Sequence, residues 1–269
     1  DSLGVLLLMA LDLSGDWQGD LLRAAVLERL GPAALATLWP DQPATAPTSI
    51  AGLAPEPPAA PDDAAGMGGF GSNVLVAAGS RTASGFPLLA SDPHLRLRAP
   101  GTWYLAVLRA PGLTAAGGTI PGLPLVAIGR SRELAWGLTT THADVQDVVI
   151  EQLDPADPDR YLTGTGAVPF AVREETIGVR GGTVERLRVR TSRHGPVISD
   201  RIGGAAPGHV LALAWSALEG EAGTLEAALE VAMAGSVEAA LAALEGFGAP
   251  VQNVAFADRA GRIALQVAG

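Results

Sequence analysis

"GGFGSNVLVAAGSRTASG", residues 68–85, sets one serine, Ser72, between a glycine-rich approach and an apolar run that reads as a β-strand. Gly-Ser-Asn is ordinary turn chemistry, and most such serines carry no function. A second reading treats the peptide bond between Gly71 and Ser72 as one to be broken. Glycine admits backbone conformations closed to other residues and lets the Ser72 hydroxyl approach the Gly71 carbonyl. A serine hydroxyl is a poor nucleophile unless a base takes its proton. Cleavage would free an α-amine of ordinary pKa, roughly 7.7 to 8.0, neutral often enough near pH 7 to serve as that base. The nucleophile-elbow pattern Gly-x-Ser-x-Gly is not present, because Val74 stands two residues after Ser72.

Working outward, residues 1–40 read as helices: the apolar run from Leu3 to Leu11, then "WQGDLLRAAVLERL" with Asp16 as its N-cap, closed by Gly31-Pro32. The first run is too short to span a bilayer and lacks the basic flank of a signal peptide, so it reads as a buried helix. Residues 41–71 form a spacer ending at the cleavage site, with prolines among Ala, Thr and Asp and no apolar periodicity. From residue 72 to 269, strand signals recur in "NVLVAA", "PLLAS", "WYLAVLRA", "LPLVAIG", "LAWGLTT" and "DVVIEQL". A hairpin turning at Gly181-Gly182 follows, then helices in "TLEAALEVAMA" and "VEAALAALEGF", then a hairpin turning around Arg259 to Gly261. Helices, a spacer, many strands and late helices predict an α+β fold and not alternating βαβ units. A start at Asp and a stop inside a strand-like segment read as a piece of a longer protein, with any targeting signal outside it.

At 269 residues and 48% apolar content the chain can bury a sizeable core. A net charge of -10, with 18 Lys and Arg spread along the sequence, argues against nucleic acid and anionic membranes as partners and for a small molecule. The absence of cysteine excludes disulfides, thiolate metal sites and thiol catalysis.

"GSNVLVAAGSRTASGFPLLASDPHL" resembles the start of the β-chain of the penicillin acylase (penicillin amidase) family of N-terminal-nucleophile hydrolases. "AWGLTTTHADVQDVVIE", "RHGPVIS" and "PVQNVAFADRAGRIAL" resemble later blocks of that family in the right order, and the helices before the spacer resemble the end of its α-chain. The resemblance implies a four-layer αββα sandwich, here partial, and a self-processing hydrolase of N-acyl amides such as β-lactam antibiotics or N-acyl-homoserine lactones. It makes Ser72 the nucleophile freed by cleavage after Gly71. His94 falls where the family places a Gln or His that touches the nucleophile's amine, and His is more similar to the cephalosporin acylase and acyl-homoserine-lactone acylase branches. Asn253 and the backbone of Thr140 are implied as donors to the carbonyl oxygen, where losing one donor costs about 2.7 to 4 kcal/mol in a comparable enzyme. Asp144, Gln146 (through its backbone carbonyl) and Asp147 fall at a structural calcium site, and hard oxygen ligands suit that ion. No cofactor is implied for catalysis, the α and β segments remain partners after cleavage, and the family points to a periplasmic or secreted protein.

Each residue also has a plainer role: a turn histidine for His94, a strand-end amide for Asn253, a solvated turn for Asp144 and Asp147. Leu75, where Trp is common, and Phe86, where a polar residue is usual, suggest altered packing beside the pocket. His142 and His194 have no carboxylate or cysteine at ligand spacing, which weighs against a metal hydrolase. An ordinary serine hydrolase would need His94, His142 or His194 beside a carboxylate. The alternative from another class is a non-catalytic homologue, uncleaved or truncated, that at most binds ligand.

Overall fold

The computed structural model describes residues 2–40, 71–95, 99–219 and 223–269. The spacer expected at 41–71 therefore lies outside the described residues except for Gly71. Three helices open the chain, α1 (Ser2–Ser14), α2 (Trp17–Leu30) and α3 (Pro32–Leu38). Strands β1 (Gly71–Ala77), β2 (Leu88–His94), β3 (Tyr104–Ala110), β4 (Leu113–Thr119), β5 (Ile128–Arg130), β6 (Leu134–Thr140) and β7 (Gln146–Asp154) follow. Next come β8 (Asp157–Thr163), β9 (Gly166–Pro169), β10 (Ala171–Gly178), β11 (Val184–Ser192), β12 (Gly195–Pro196), the short helix α4 (Ser199–Ile202) and β13 (His209–Trp215). The chain ends with α5 (Thr224–Met233), α6 (Val237–Leu244), β14 (Gln252–Asp258) and β15 (Ile263–Ala268).

The main sheet is antiparallel, in the order β15-β14-β6-β5-β4-β3. Side chains alternate across its pleat. Trp136 of β6 with Val254 and Phe256 of β14 face α5 and α6, where Val231, Ala240 and Leu244 complete the largest core cluster. Ser236 caps α6, its Oγ accepting from Ala239 N at 3.2 Å. The buried Asp258 carboxylate anchors the same helix, accepting from Val237 N at 3.1 Å and from Arg262 Nε at 2.8 Å. Burial alone would raise its pKa, but those donors, with Arg262 N, outweigh it and hold the carboxyl below the usual range.

On the opposite face lies the β1–β2 hairpin. A Cβ on Gly137 of β6 would sit 2.7 Å from Ser91 Cβ and 2.9 Å from Val74 Cγ2, so only glycine lets the hairpin rest there. Helices, six-stranded sheet and hairpin thus stack as successive α, β and β layers of a partial αββα sandwich. A second antiparallel sheet, β13-β7-β8-β9, and the sheet β10-β11-β12 flank them.

The helix over Leu3–Leu11 is not wholly buried as expected: α1 inserts Leu6, Ala10 and Ser14 and leaves Leu3, Leu8 and Leu11 exposed. Asp16 stands at the N-cap of α2 but makes no side-chain capping bond, because its carboxylate is turned toward Asp144. No helix among the described residues is long and apolar enough to cross a membrane.

Candidate active site

Ser72 occupies the second position of β1, paired with Pro93 of β2. It is in phase with Val74, whose side chain meets Gly137, so the pleat aims the Ser72 side chain at the main sheet. There it opens on an apolar cavity of about 110 Å³, measured as the room for a water-sized sphere, walled among others by Leu6, Leu125, Trp136, Val231 and Phe247. Thr139, Thr140 and Gln252 bring polar groups to the same wall.

Gly71 is extended and absent from the positive-φ positions. A Cβ there would find only His94 Nδ1, at 3.8 Å, an ordinary contact. The expectation that Gly71 is needed for a backbone conformation closed to other residues is therefore not what the fold shows. His94 pairs with Gly71 across the hairpin, and its Nε2 lies 2.8 Å from Asp92 Oδ2. Because neighbouring residues alternate faces, the His94 ring lies on the outer side while Ser72 points inward. That arrangement disfavours His94 as the base for Ser72 Oγ in an ordinary serine hydrolase.

Asn253 of β14 pairs with Thr139 of β6, and its Nδ2 donates to Thr139 Oγ1 at 3.1 Å. Thr139 lines the cavity, and Asn253 stands beside it on the neighbouring strand. One Nδ2 hydrogen remains for another acceptor. Thr140 lines the cavity too, its Oγ1 reaching Leu13 O of α1 at 3.5 Å. The sheet thus gathers Ser72, Thr140 and the Asn253–Thr139 pair around one space, with His94 beside the Gly71–Ser72 junction.

The whole chain, residues 1–269, matches the family model described as penicillin amidase. The chain belongs to the penicillin amidase family. A similar relative is the acyl-homoserine lactone acylase QuiP of Pseudomonas fluorescens Pf-5, 35% identical over 205 residues, which are 76% of this chain and 24% of that protein. Penicillin acylase 2 proenzyme of Pseudomonas sp. SE83 is 35% identical over 146 residues, 54% of this chain and 19% of its own length. Among solved structures, a thermostable penicillin G acylase from Alcaligenes faecalis superposes with a TM-score of 0.63 at 27% identity, covering 72% of this chain and 34% of that one. The chain spans about a quarter of the length of the acyl-homoserine lactone acylases that it matches.

The resemblance implies a calcium site at Asp144, the Gln146 backbone carbonyl and Asp147, two carboxylates and one carbonyl. No group of three His, Cys, Asp or Glu side chains placed to hold a metal occurs among the described residues. Asp144 instead faces Asp16 of the helical segment. Burial, then the hydrogen bond and repulsion from Asp144, push the Asp16 carboxyl up to about 6. Asp16 Oδ1 is buried without a hydrogen-bond partner. Gln146 is 1% exposed and its Oε1 accepts from Asp16 N at 3.2 Å, a contact of the side chain and not of the backbone carbonyl expected at the ion. Asp147 sits on β7 opposite Ala214 and is exposed. Asp20 Oδ2 accepts from Val148 N at 3.2 Å, so the helical segment and β7 meet through acidic side chains.

Other features of this penicillin amidase homologue differ from expectation. His194 does have a carboxylate: its Nδ1 lies 2.8 Å from Oε1 of the buried Glu151, 43 residues away on β7. No local spacing signals that pair, and neither residue lines the cavity. Leu75 and Phe86, expected beside the pocket, are 72% and 64% exposed and do not border it. Leu75 is out of phase with Val74 and so projects from the outer face of the hairpin.

Proposed function

We propose that this protein is a self-processing amide hydrolase in which cleavage after Gly71 frees Ser72 as an N-terminal nucleophile. The observation that carries this reading is Ser72 at the start of β1, facing an apolar cavity with Thr139 and Thr140 in its wall and Asn253 hydrogen-bonded to Thr139. The Ser72 amine takes the hydroxyl proton as Oγ adds to the substrate carbonyl, and then delivers it to the departing amine. The acyl-enzyme is released by water. Asn253 Nδ2 and the Thr140 backbone donate to the carbonyl oxygen as charge builds on it. A long-chain N-acyl-homoserine lactone suits the apolar walls better than a small polar acyl group, since each buried methylene contributes about 0.8 kcal/mol. The relatives named acyl-homoserine lactone acylase support the same choice, and a periplasmic or secreted location belongs with this reading.

Intact-mass and N-terminal analysis of the purified protein should find a chain beginning Ser-Asn-Val-Leu. With N-dodecanoyl- and N-butanoyl-homoserine lactone as probes, kcat/KM should be higher for the longer chain by a factor of ten or more, given that methylene contribution. A single uncut chain refutes the self-processing reading, and equal rates for the two lactones refute the assigned acyl chain.

The Asp16–Asp144 pair also fits a hard divalent cation, for it offers an unpartnered buried carboxylate oxygen and uncompensated like charge. Calcium at this corner would tie the helical segment to β7 and has no part in the chemistry. Without a cation, the raised Asp16 pKa means that the neutral carboxyl is favoured in the folded state. Stability from that preference is complete below the ordinary value of 3.8 and is lost as pH rises through about 6. Asp16→Asn should therefore melt above the unsubstituted protein at pH 7 in chelator, the gap closing by pH 4. Added calcium should raise the melting temperature of the unsubstituted protein and not that of the variant. A gap that does not change between pH 7 and pH 4 counts against the Asp16 assignment.

A further inference from the structure

Asp92 and His94 stand two residues apart on β2, so their side chains project from the same face. Asp92 Oδ2 is 2.8 Å from His94 Nε2, while His94 Nδ1 faces Gly71, 3.8 Å from where a Cβ would lie. We propose that Asp92 is a positioning residue for the reaction assigned above: by accepting the Nε2 hydrogen it fixes the His94 tautomer whose unprotonated Nδ1 accepts a hydrogen bond from the freed Ser72 amine. The inference rests on the N-terminal-nucleophile reading of Ser72.

A carboxylate accepts and cannot donate when ionised, so a neutral imidazole bound to Asp92 through Nε2 must carry its hydrogen there. Its other nitrogen is then an acceptor, beside the place where cleavage would leave a new amine. An amine that donates one hydrogen to Nδ1 is held in orientation, with its lone pair available to the Ser72 hydroxyl on the inner face. The opposite tautomer would present an N–H to the amine and compete for that lone pair. Asp92 therefore acts through His94 and touches no reacting atom. The Asp92 and His94 side chains are 71% and 47% exposed, and an ion pair so exposed contributes little to stability, which separates this role from a scaffolding one.

The test is a set of variants, each confirmed by intact mass to start at Ser72, with kcat and KM measured on N-dodecanoyl-homoserine lactone. Asp92→Ala should lower kcat about tenfold with KM unchanged, the low end of the roughly 10- to 100-fold losses known when the outer partner of a metal-bound histidine is removed. Asp92→Asn keeps the shape of the side chain, but its amide can donate to Nε2 and so admits the opposite tautomer; it should also lower kcat with KM unchanged, which guards against misfolding of the alanine variant. In a His94→Gln background, which keeps an acceptor but has no tautomer to fix, Asp92→Ala should cause no further loss. A cleaved, active protein whose Asp92→Ala variant keeps the full kcat overturns the role of Asp92 alone, as does an equal loss in the His94→Gln background. An unsubstituted protein that is never cut at Ser72 overturns this inference together with the reading beneath it.

Discussion

Replacing Ser72 by alanine is expected to leave the fold intact while removing both cleavage after Gly71 and amide hydrolysis. Alanine keeps the Cβ and deletes only the hydroxyl. The melting temperature should therefore move by no more than a few degrees. In the proposed mechanism the chemistry depends on that one oxygen twice, first as the group attacking the Gly71 carbonyl and then as the group carrying the acyl chain. Loss of the serine in a well-studied protease lowers kcat by about 10⁶, and a fall of similar order is expected here. Intact mass checks the first loss and release of homoserine lactone the second. An uncut Ser72→Ala chain that still hydrolysed the lactone at the full rate would move the nucleophile elsewhere. Cleavage persisting in the variant would mean that another protease makes the cut.

Much of this arrangement is legible in the residue order because the informative segments are locally consistent. The alternation and Gly-Gly turn in "VREETIGVRGGTVERLRVRTS" mark β10 and β11, and the turn around Arg259 to Gly261 joins β14 to β15 as expected. The Ala- and Leu-rich runs at 224–234 and 237–247 mark α5 and α6. Local pattern fails where tertiary contact decides. Strand β4, "LTAAGGT", has little β-propensity, yet its Gly117 faces Gly129 of β5, where a Cβ would meet Ile128 O at 2.0 Å. Residues 123–129 read as one strand, but only Ile128–Arg130 pair, while Leu123, Leu125 and Val126 turn into the cavity wall. β8 begins with Asp-Pro-Asp, which reads as a turn, and it is held by Tyr161 packing on Phe170. β13 is an unbroken apolar run whose period does not separate strand from helix. For the site, the proposed nucleophile Ser72 is marked by its glycine approach, whereas the Asp16–Asp144 and His194–Glu151 pairs join residues far apart in sequence and become visible only after folding.

The second large effect is expected at a residue with no chemical group to offer. A methyl added in Gly137→Ala would lie 2.7 Å from Ser91 Cβ and 2.9 Å from Val74 Cγ2, well inside the roughly 3.5 to 4.0 Å at which carbons rest. Neither the strand β6 nor the hairpin can absorb this locally: β6 is paired to β5 and β14, and β1 is paired to β2 along its whole length. The hairpin must lift from the sheet and carry Ser72, two residues from Val74, away from Thr139 and Asn253. Overpacking of this kind costs about 1 to 3 kcal/mol of stability, and a displacement near 1 Å can cost about 100-fold in rate. Thermal melts and kcat on N-dodecanoyl-homoserine lactone measure the two losses. The cause is separable by a second change, because Ser91 Oγ is buried without a hydrogen-bond partner. Ser91→Gly removes the two atoms nearest the added methyl except Val74 Cγ2 and breaks no bond, so the double variant should recover much of the rate. If Gly137→Ala keeps full activity, the hairpin is not seated by this contact and Ser72 is positioned by other means. If the double variant fails to recover, the loss arises from the remaining contact with Val74 Cγ2 or within β6 itself, and not from Ser91.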